Sequence, residues 1–300
     1  IEDTAMIDAS HKIILNGGVF DGQLVDGKLA EGIHINNDYL GQDKANGSII
    51  DEVTVKNFLM GVDMQIDSSI VLNSTFYSNR DIGLILEVGS LYGVVQGNVF
   101  GLDENGNVPT GTNHILSAVV MGGDSAYFGG DLLSQGNIVS GNDGTGLILA
   151  AKEIEVKNNF IGTDQTTNSL LGNKIGIGFA DFENQSTGNL VTKNYFADNE
   201  IAVQIPSEIG DSEGAVIEGN LIIDNVYAKN DTLILTATGF QNDVAIPTGL
   251  VERDSIFTGQ VLPGAIVEIM ADTGTNVLVA IDTVTADADG LFTFDLKTSN

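Results

Sequence analysis

Residues Asn158–Asn173 read NNFIGTDQTTNSLLGN, and an earlier stretch, Gly97–Asn113, reads GNVFGLDENGNVPTGTN. Asn98, Asn159 and Asn220 follow one another at intervals of 61 residues. The same offset carries Gly101, Asp103, Asn107 and Gly111 onto Gly162, Asp164, Asn168 and Gly172. A fixed offset marks stacked supersecondary units, each too small to bury its own apolar face. Within the offset, glycine-led apolar bursts recur at Gly32, Gly61, Gly83, Gly146 and Gly176, with a relative, IAVQI, at Ile201. A second series centres on Asn73, Asn98, Asn137, Asn159, Asn194 and Asn220. An apolar residue precedes most of these by three (Ile70, Val95, Val156, Val191, Ile217), and another often follows by two (Phe100, Val139, Ile161, Phe196, Ile222).

The bursts are short, rich in β-branched residues and bounded by Gly and Asn, which is the pattern of strands. No useful window repeats apolar residues at i, i+3, i+4 and i+7, so helices are nearly absent. Strand, turn and strand repeated about every twenty residues, with longer outward loops, predict an all-β chain wound as a parallel β-helix. About eight coils are expected over residues 1–228, a stack on the order of 40 Å long. The asparagines are expected to be structural: Asn tolerates the left-handed backbone of a sharp bend, and stacked coils let its amides form a ladder. The two long stretches are then turns extended by insertion, leaving the coil after Gly101 and Gly162. SAYFGGD, from Ser125 to Asp131, reads as a further excursion.

The pattern changes near Asn225. Beyond it, alternating segments such as AIVEIMAD and LFTFDL are separated by turn signals at Pro263-Gly264, Thr273-Gly274 and Asp289-Gly290. These predict a small antiparallel, immunoglobulin-like β-sandwich over residues 229–300. It stops one strand early, and the chain begins at Ile1 without a leader, so the sequence is expected to be a piece of a longer protein or to be completed by a neighbour.

The 300 residues carry 41 acidic and 12 basic side chains, a formal charge of −29. Such a chain repels nucleic acid and anionic membrane. No apolar run approaches the ~20 residues of a membrane span. Hydrophobic content of 42% and singly scattered acids argue against disorder. With no cysteine, disulfides and thiolate metal sites are excluded.

Candidate chemistry is sparse. Asp103, Asn105 and Asn107 have the spacing of a calcium loop, but Val108 takes the place of its glycine and His114 that of its closing glutamate, so an Asn/Gly turn competes with a calcium site. Asp287 to Gly290 (DADG) stands in the same position. Asp51, Glu52, Asp63 and Asp67 are acids that neighbouring coils would bring to one face. Arg80 adjoins Asp81, as in a surface ion pair, and Arg253 falls in the sandwich. His11, His34 and His114 lie in separate segments, which gives no zinc-ligand spacing. Tyr127 and Phe128 read as exposed aromatics suited to stacking on sugar.

The stretch NNFIGTDQTTNSLLGNKIGIGF resembles the coils of right-handed parallel β-helix proteins on bacterial surfaces. The segments from KNDTLILTATGF to DADGLFTF resemble the immunoglobulin-like module that often follows such coils. The combination is similar to large secreted surface proteins of Bacteroidota and related bacteria, some associated with adhesion or gliding. The resemblance implies an extracellular, cell-surface setting, with polysaccharide or neighbouring surface-protein modules as partners. Polygalacturonase-type signatures are missing, so a non-enzymatic adhesive or spacer module is expected. The alternatives are a β-helix polysaccharide lyase or glycoside hydrolase, and a self-assembling filament subunit.

Overall fold

The computed structural model describes residues 6–16, 31–36, 45–167, 171–180, 186–205, 217–218, 220–236, 248–253, 255–273 and 277–295. Its regular structure is all-β apart from one short 3-10 turn at Leu133–Gln135. Eight strands pair in parallel and in chain order: Glu31–Asn36, Met60–Gln65, Ile82–Leu86, Ser117–Met121, Thr145–Leu149, Ile175–Phe179, Ile201–Ile205 and Thr232–Thr236.

A second sheet has two arms that share the strand Ile49–Lys56. The first arm runs through Ile70–Leu72, Val94–Gln96, Tyr127–Gly129, Glu155–Lys157, Leu190–Thr192 and Leu221–Ile223. The second arm runs through Thr75–Tyr77, Val99–Phe100, Ile138–Val139, Phe160–Ile161, Tyr195–Ala197 and Val226–Ala228. The chain visits first arm, second arm and eight-stranded sheet in turn, and then begins again one layer on. That winding is a parallel β-helix, and the 61-residue offset is two layers of it.

Inward residues of all three faces fuse into one core. Val62, Met64, Leu84 and Leu86 from the eight-stranded sheet meet Val71, Phe76, Val95 and Phe100 from the arms. Fully burying side chains of this size contributes about 1.5–3 kcal/mol each. Equivalent positions stack between layers: the Phe76 and Phe100 rings lie 4.8 Å apart and nearly parallel, and Phe128, from the first arm, meets Phe100 at 6.2 Å. Phe128 is therefore core, while its neighbour Tyr127 is 47% exposed. SAYFGGD contributes the strand Tyr127–Gly129 rather than an excursion, and strand alternation sends the adjacent rings to opposite faces.

Where the two arms join, asparagine amides run through the stack. Asn98 donates its backbone N–H and its Nδ2 to Asn137 Oδ1 at 2.9 and 3.1 Å. Asn137 does the same to Asn159, Asn159 to Asn194, and Asn194 to Asn225. Each Nδ2 also donates to a buried carbonyl, as Asn159 does to Phe128 O at 2.9 Å. The column thus satisfies backbone groups that a sharp bend would otherwise leave unpaired. Its members are not the left-handed residues. Those are the positions just before Asn98, Asn159, Asn194 and Asn225, namely Gly97 (φ 67), Asn158 (58), Lys193 (57) and Asp224 (55), and Asn73 (47) before Ser74, while Gly136 before Asn137 is extended. Asn73 accordingly lies beside the column, where the Ser74 backbone N–H donates to Asn98 Oδ1, and Asn73 donates instead to Asp51. Asn220 belongs to a different corner, where it accepts from Asn189.

The long insertion leaves at Gly162, which has φ +87, and a Cβ there would lie 1.8 Å from Ala197 O. Leu171 brings the chain back by donating to Gly162 O. Asn168 falls outside the described residues.

A second column runs between the second arm and the eight-stranded sheet. Asn142 donates to Asn173, Asn173 to Asn199 and Asn199 to Asn230. His114 occupies the layer between Asn79 and Asn142, with Nδ1 2.7 Å from Asn142 Oδ1. It is fully buried, and desolvation pushes its pKa down to about 4. The unfolded histidine keeps a value near 6.5 and binds its proton first as pH falls. Stability is therefore present above about pH 6.5 and is lost on descent toward pH 4, by about 3 kcal/mol. His114→Asn inserts the residue the column uses elsewhere at a backbone φ of 51 that suits asparagine. It is expected to raise stability at pH 4 by that amount and to change it by less than about 1 kcal/mol at pH 7.5. Thermal melts followed by circular dichroism at the two pH values check this.

Past the coils, Thr248–Arg253, Ile256–Gln260 and Leu291–Asp295 form a three-stranded antiparallel sheet. Ile266–Asp272 and Val277–Thr285 pair with each other, and the latter extends the second arm by pairing antiparallel with Val226–Ala228.

Candidate active site

The outer side of the eight-stranded sheet carries one register column that crosses five layers: His34, Asp63, Ile85, Val120 and Ile148. Strand alternation points these residues away from the core made by Ile33, Ile35, Val62, Met64, Leu84 and Leu86. At the polar end, His34 Nδ1 lies 3.0 Å from Asp63 Oδ2 and 3.1 Å from Glu31 Oε2. Asn36 lies on the other side of the ring, 2.7 Å from Nε2.

Asp63 is 4% exposed, and its Oδ1 is buried with no hydrogen-bond partner. Desolvation is the main cause that raises its pKa, to about 6; the Glu87 and Glu31 charges push the same way, and His34 opposes them. A carboxyl that keeps its proton up to about pH 6 is a proton-transfer group in waiting.

At the apolar end lies a cavity of about 480 Å³. Ile82, Ile85, Leu116, Val120 and Ile148 line it, together with Glu87. The face thus sets an acid cluster beside an apolar hollow, with Glu87 linking them: it lines the hollow and acts electrostatically on Asp63.

The four acids read from the sequence as one set are not brought together. Asp51 stands on the first arm, Glu52 is a left-handed bend residue, Asp67 follows a strand end, and Asp63 alone faces outward from the eight-stranded sheet. Asp67 is spent in a corner, where its Oδ1 accepts from Leu91 N at 2.9 Å. His34 finds its partners three residues back and one layer on, at Glu31 and Asp63, which a search for paired histidines passes over. Glu31 and Glu87 were not legible in the pattern: Glu31 shares its strand parity with the core residues Ile33 and Ile35, and Glu87 lies just past the strand Ile82–Leu86.

Asp103 Oδ1 accepts the backbone N–H groups of Asn105 and Asn107 at 2.9 Å each, which closes a tight turn and lowers the Asp103 pKa. Asp287 Oδ1 accepts from Asp289 and Leu291 in the same way. Arg80 pairs with Asp81 at 3.7 Å. The His11 and Arg253 side chains fall outside what the structure describes. No helix among the described residues is long and apolar enough to cross a membrane.

No protein-family profile matches the chain, and no curated protein matches it. Solved structures do. An alginate lyase from a Paenibacillus species is 13% identical over 76% of this chain and 79% of its own, with a TM-score of 0.31. DFA-IIIase from Arthrobacter chlorophenolicus, in complex with GF2, is 13% identical over 76% of this chain and 51% of its own, with a TM-score of 0.34. A tailspike protein of the Acinetobacter baumannii bacteriophage Fri1, a capsular polysaccharide depolymerase, is 14% identical over 94% of this chain and 59% of its own, with a TM-score of 0.28.

The chain thus spans about half to four-fifths of these structures' lengths. Similarity this remote carries no residue roles. The expectation of a non-enzymatic spacer is nonetheless corrected here: the matched structures are a lyase, DFA-IIIase and a depolymerase. The acid cluster at Asp63 also removes the reason for expecting no chemistry, since the linear sequence hid a convergence that the coils create.

Proposed function

We propose that this chain cleaves polysaccharide, as a lyase or glycoside hydrolase, on the outer side of its eight-stranded sheet. The protein is read as extracellular and bacterial, with a right-handed β-helix of about eight coils followed by an immunoglobulin-like sandwich; the boundary expected at 228 moves past Thr232–Thr236, which pairs in parallel with Ile201–Ile205 in the eight-stranded sheet. One observation carries the catalytic reading: the buried Asp63 carboxyl, with its pKa near 6, in contact with His34 and paired across strands with Ile85, which lines the cavity. Asp63 acts as the proton donor to a leaving oxygen. Glu31 and Glu87 would repel a uronate bound beside them, so a neutral polysaccharide is the favoured class.

The test is incubation with a panel of neutral and acidic polysaccharides, with and without calcium, followed by mass spectrometry of soluble fragments. Saturated fragments from a neutral polymer are expected, and unsaturated ends would assign a lyase. The absence of fragments across the panel would overturn the enzymatic reading.

A further inference from the structure

The polar end of the outer column has a geometry that proton transfer does not require. A Glu31 carboxylate oxygen, His34 Nδ1 and an Asp63 carboxylate oxygen all lie within 4.8 Å of one another. We propose that these three residues bind a divalent transition-metal ion of the zinc class, leaving a fourth position open. Zinc-class ions take nitrogen and carboxylate oxygen at about 2.0–2.2 Å in tetrahedral arrangement, which sets ligand atoms roughly 3.4 Å apart. The 3.0 and 3.1 Å separations around Nδ1 need only a few tenths of an ångström of widening.

The cluster is backed by a second, independent feature. The Asp63 side chain is 6% exposed, yet Oδ1 has no donor. A buried carboxylate oxygen without a partner is costly, and a cation is the partner that satisfies it together with Oδ2. The imidazole is also oriented from behind. Asn36 sits 2.7 Å from Nε2, and with the ion on Nδ1 the other ring nitrogen carries hydrogen. Turning the Asn36 amide presents its oxygen to that N–H, the outer contact that metal-bound histidines commonly have.

Calcium and magnesium fit poorly, because they prefer six or more oxygen ligands and this set offers one nitrogen. The register supplies the rigidity: Glu31 and His34 share one strand, and His34 pairs directly with Asp63 on the next.

This inference does not need the enzymatic reading. Bound metal makes Asp63 a ligand, whereas the proton-donor role belongs to the metal-free site, so the two are separable. The full chain would be stripped with chelator, dialysed against zinc chloride and assayed for bound metal, with calcium and magnesium in parallel. One zinc per chain is expected, with little calcium or magnesium retained. His34→Gln and Asp63→Asn should each weaken zinc binding by at least about 100-fold, and Asn36→Ala by about 10-fold.

Cobalt loading of the unmodified chain gives a readout that needs no variant: visible absorption of low-symmetry four-coordinate cobalt. Absence of stoichiometric zinc, or equal binding by the wild type and His34→Gln, would overturn the site. Zinc binding without any glycan cleavage would support the site and count against the enzymatic reading alone. Cleavage by a chain shown to bind no zinc would do the reverse.

Discussion

Asp63→Asn is expected to lower polysaccharide cleavage by about 10²–10⁴-fold, the range that a positioned acid contributes. The substitution keeps shape and the contact to His34 but removes the transferable proton. Wild-type activity should fall as pH rises through about 6, where Asp63 loses its proton. Stability moves separately. The folded carboxyl has a raised pKa, so the unfolded chain ionises first as pH rises above about 4. The folded state is therefore penalised progressively between about pH 4 and pH 6, and the penalty is complete above that. Asp63→Asn should consequently melt higher than the wild type at pH 8, with the advantage shrinking at pH 4. Comparing the two proteins matters, because a chain of charge −29 loses stability through self-repulsion as its other acids ionise. A variant that melts normally and still cleaves at the wild-type rate would remove Asp63 from the chemistry.

The second large effect belongs to the first amide column. Asn159→Ala should destabilise the coils by at least about 3 kcal/mol. Asn159 Oδ1 accepts from Asn137 N and Nδ2, and Asn159 Nδ2 donates to Phe128 O and Asn194 Oδ1. Truncation leaves these buried partners unsatisfied, at about 1–3 kcal/mol for each group that water cannot reach. Asn73→Ala, beside the column and bonded to Asp51, should cost about 1 kcal/mol, mostly for placing alanine at a left-handed φ. Urea unfolding followed by circular dichroism separates the two. Equal midpoints would show that the amides are replaceable by solvent.

The winding was legible because each coil repeats the same short pattern, and asparagine spacing gave its period. Exact roles within the pattern were less legible. A 61-residue offset aligns Asn98, Asn159 and Asn220, yet unequal loops move Asn220 to another corner, and Asn225 takes the place in the column. Phe128 read as exposed because a glycine-rich stretch looks like a loop. Only pairing with Val94–Gln96 and Glu155–Lys157 makes it a strand with one ring inward. The acid site was least visible. Asp63 was in view among several acids, but its partner His34 lies 29 residues away and meets it through cross-strand register. An acidic chain offers many such pairs in one dimension, and burial, which separates Asp63 from the rest, is a property of the folded surface.

The most direct measurement is an NMR titration of the aspartate carboxyl carbons in chelator-treated protein, with Asp63→Asn used to assign the Asp63 signal. A midpoint near 6 for Asp63 is predicted. A midpoint near 4, the ordinary aspartate value, would contradict the claim that burial and neighbouring carboxylates prepare Asp63 to donate a proton.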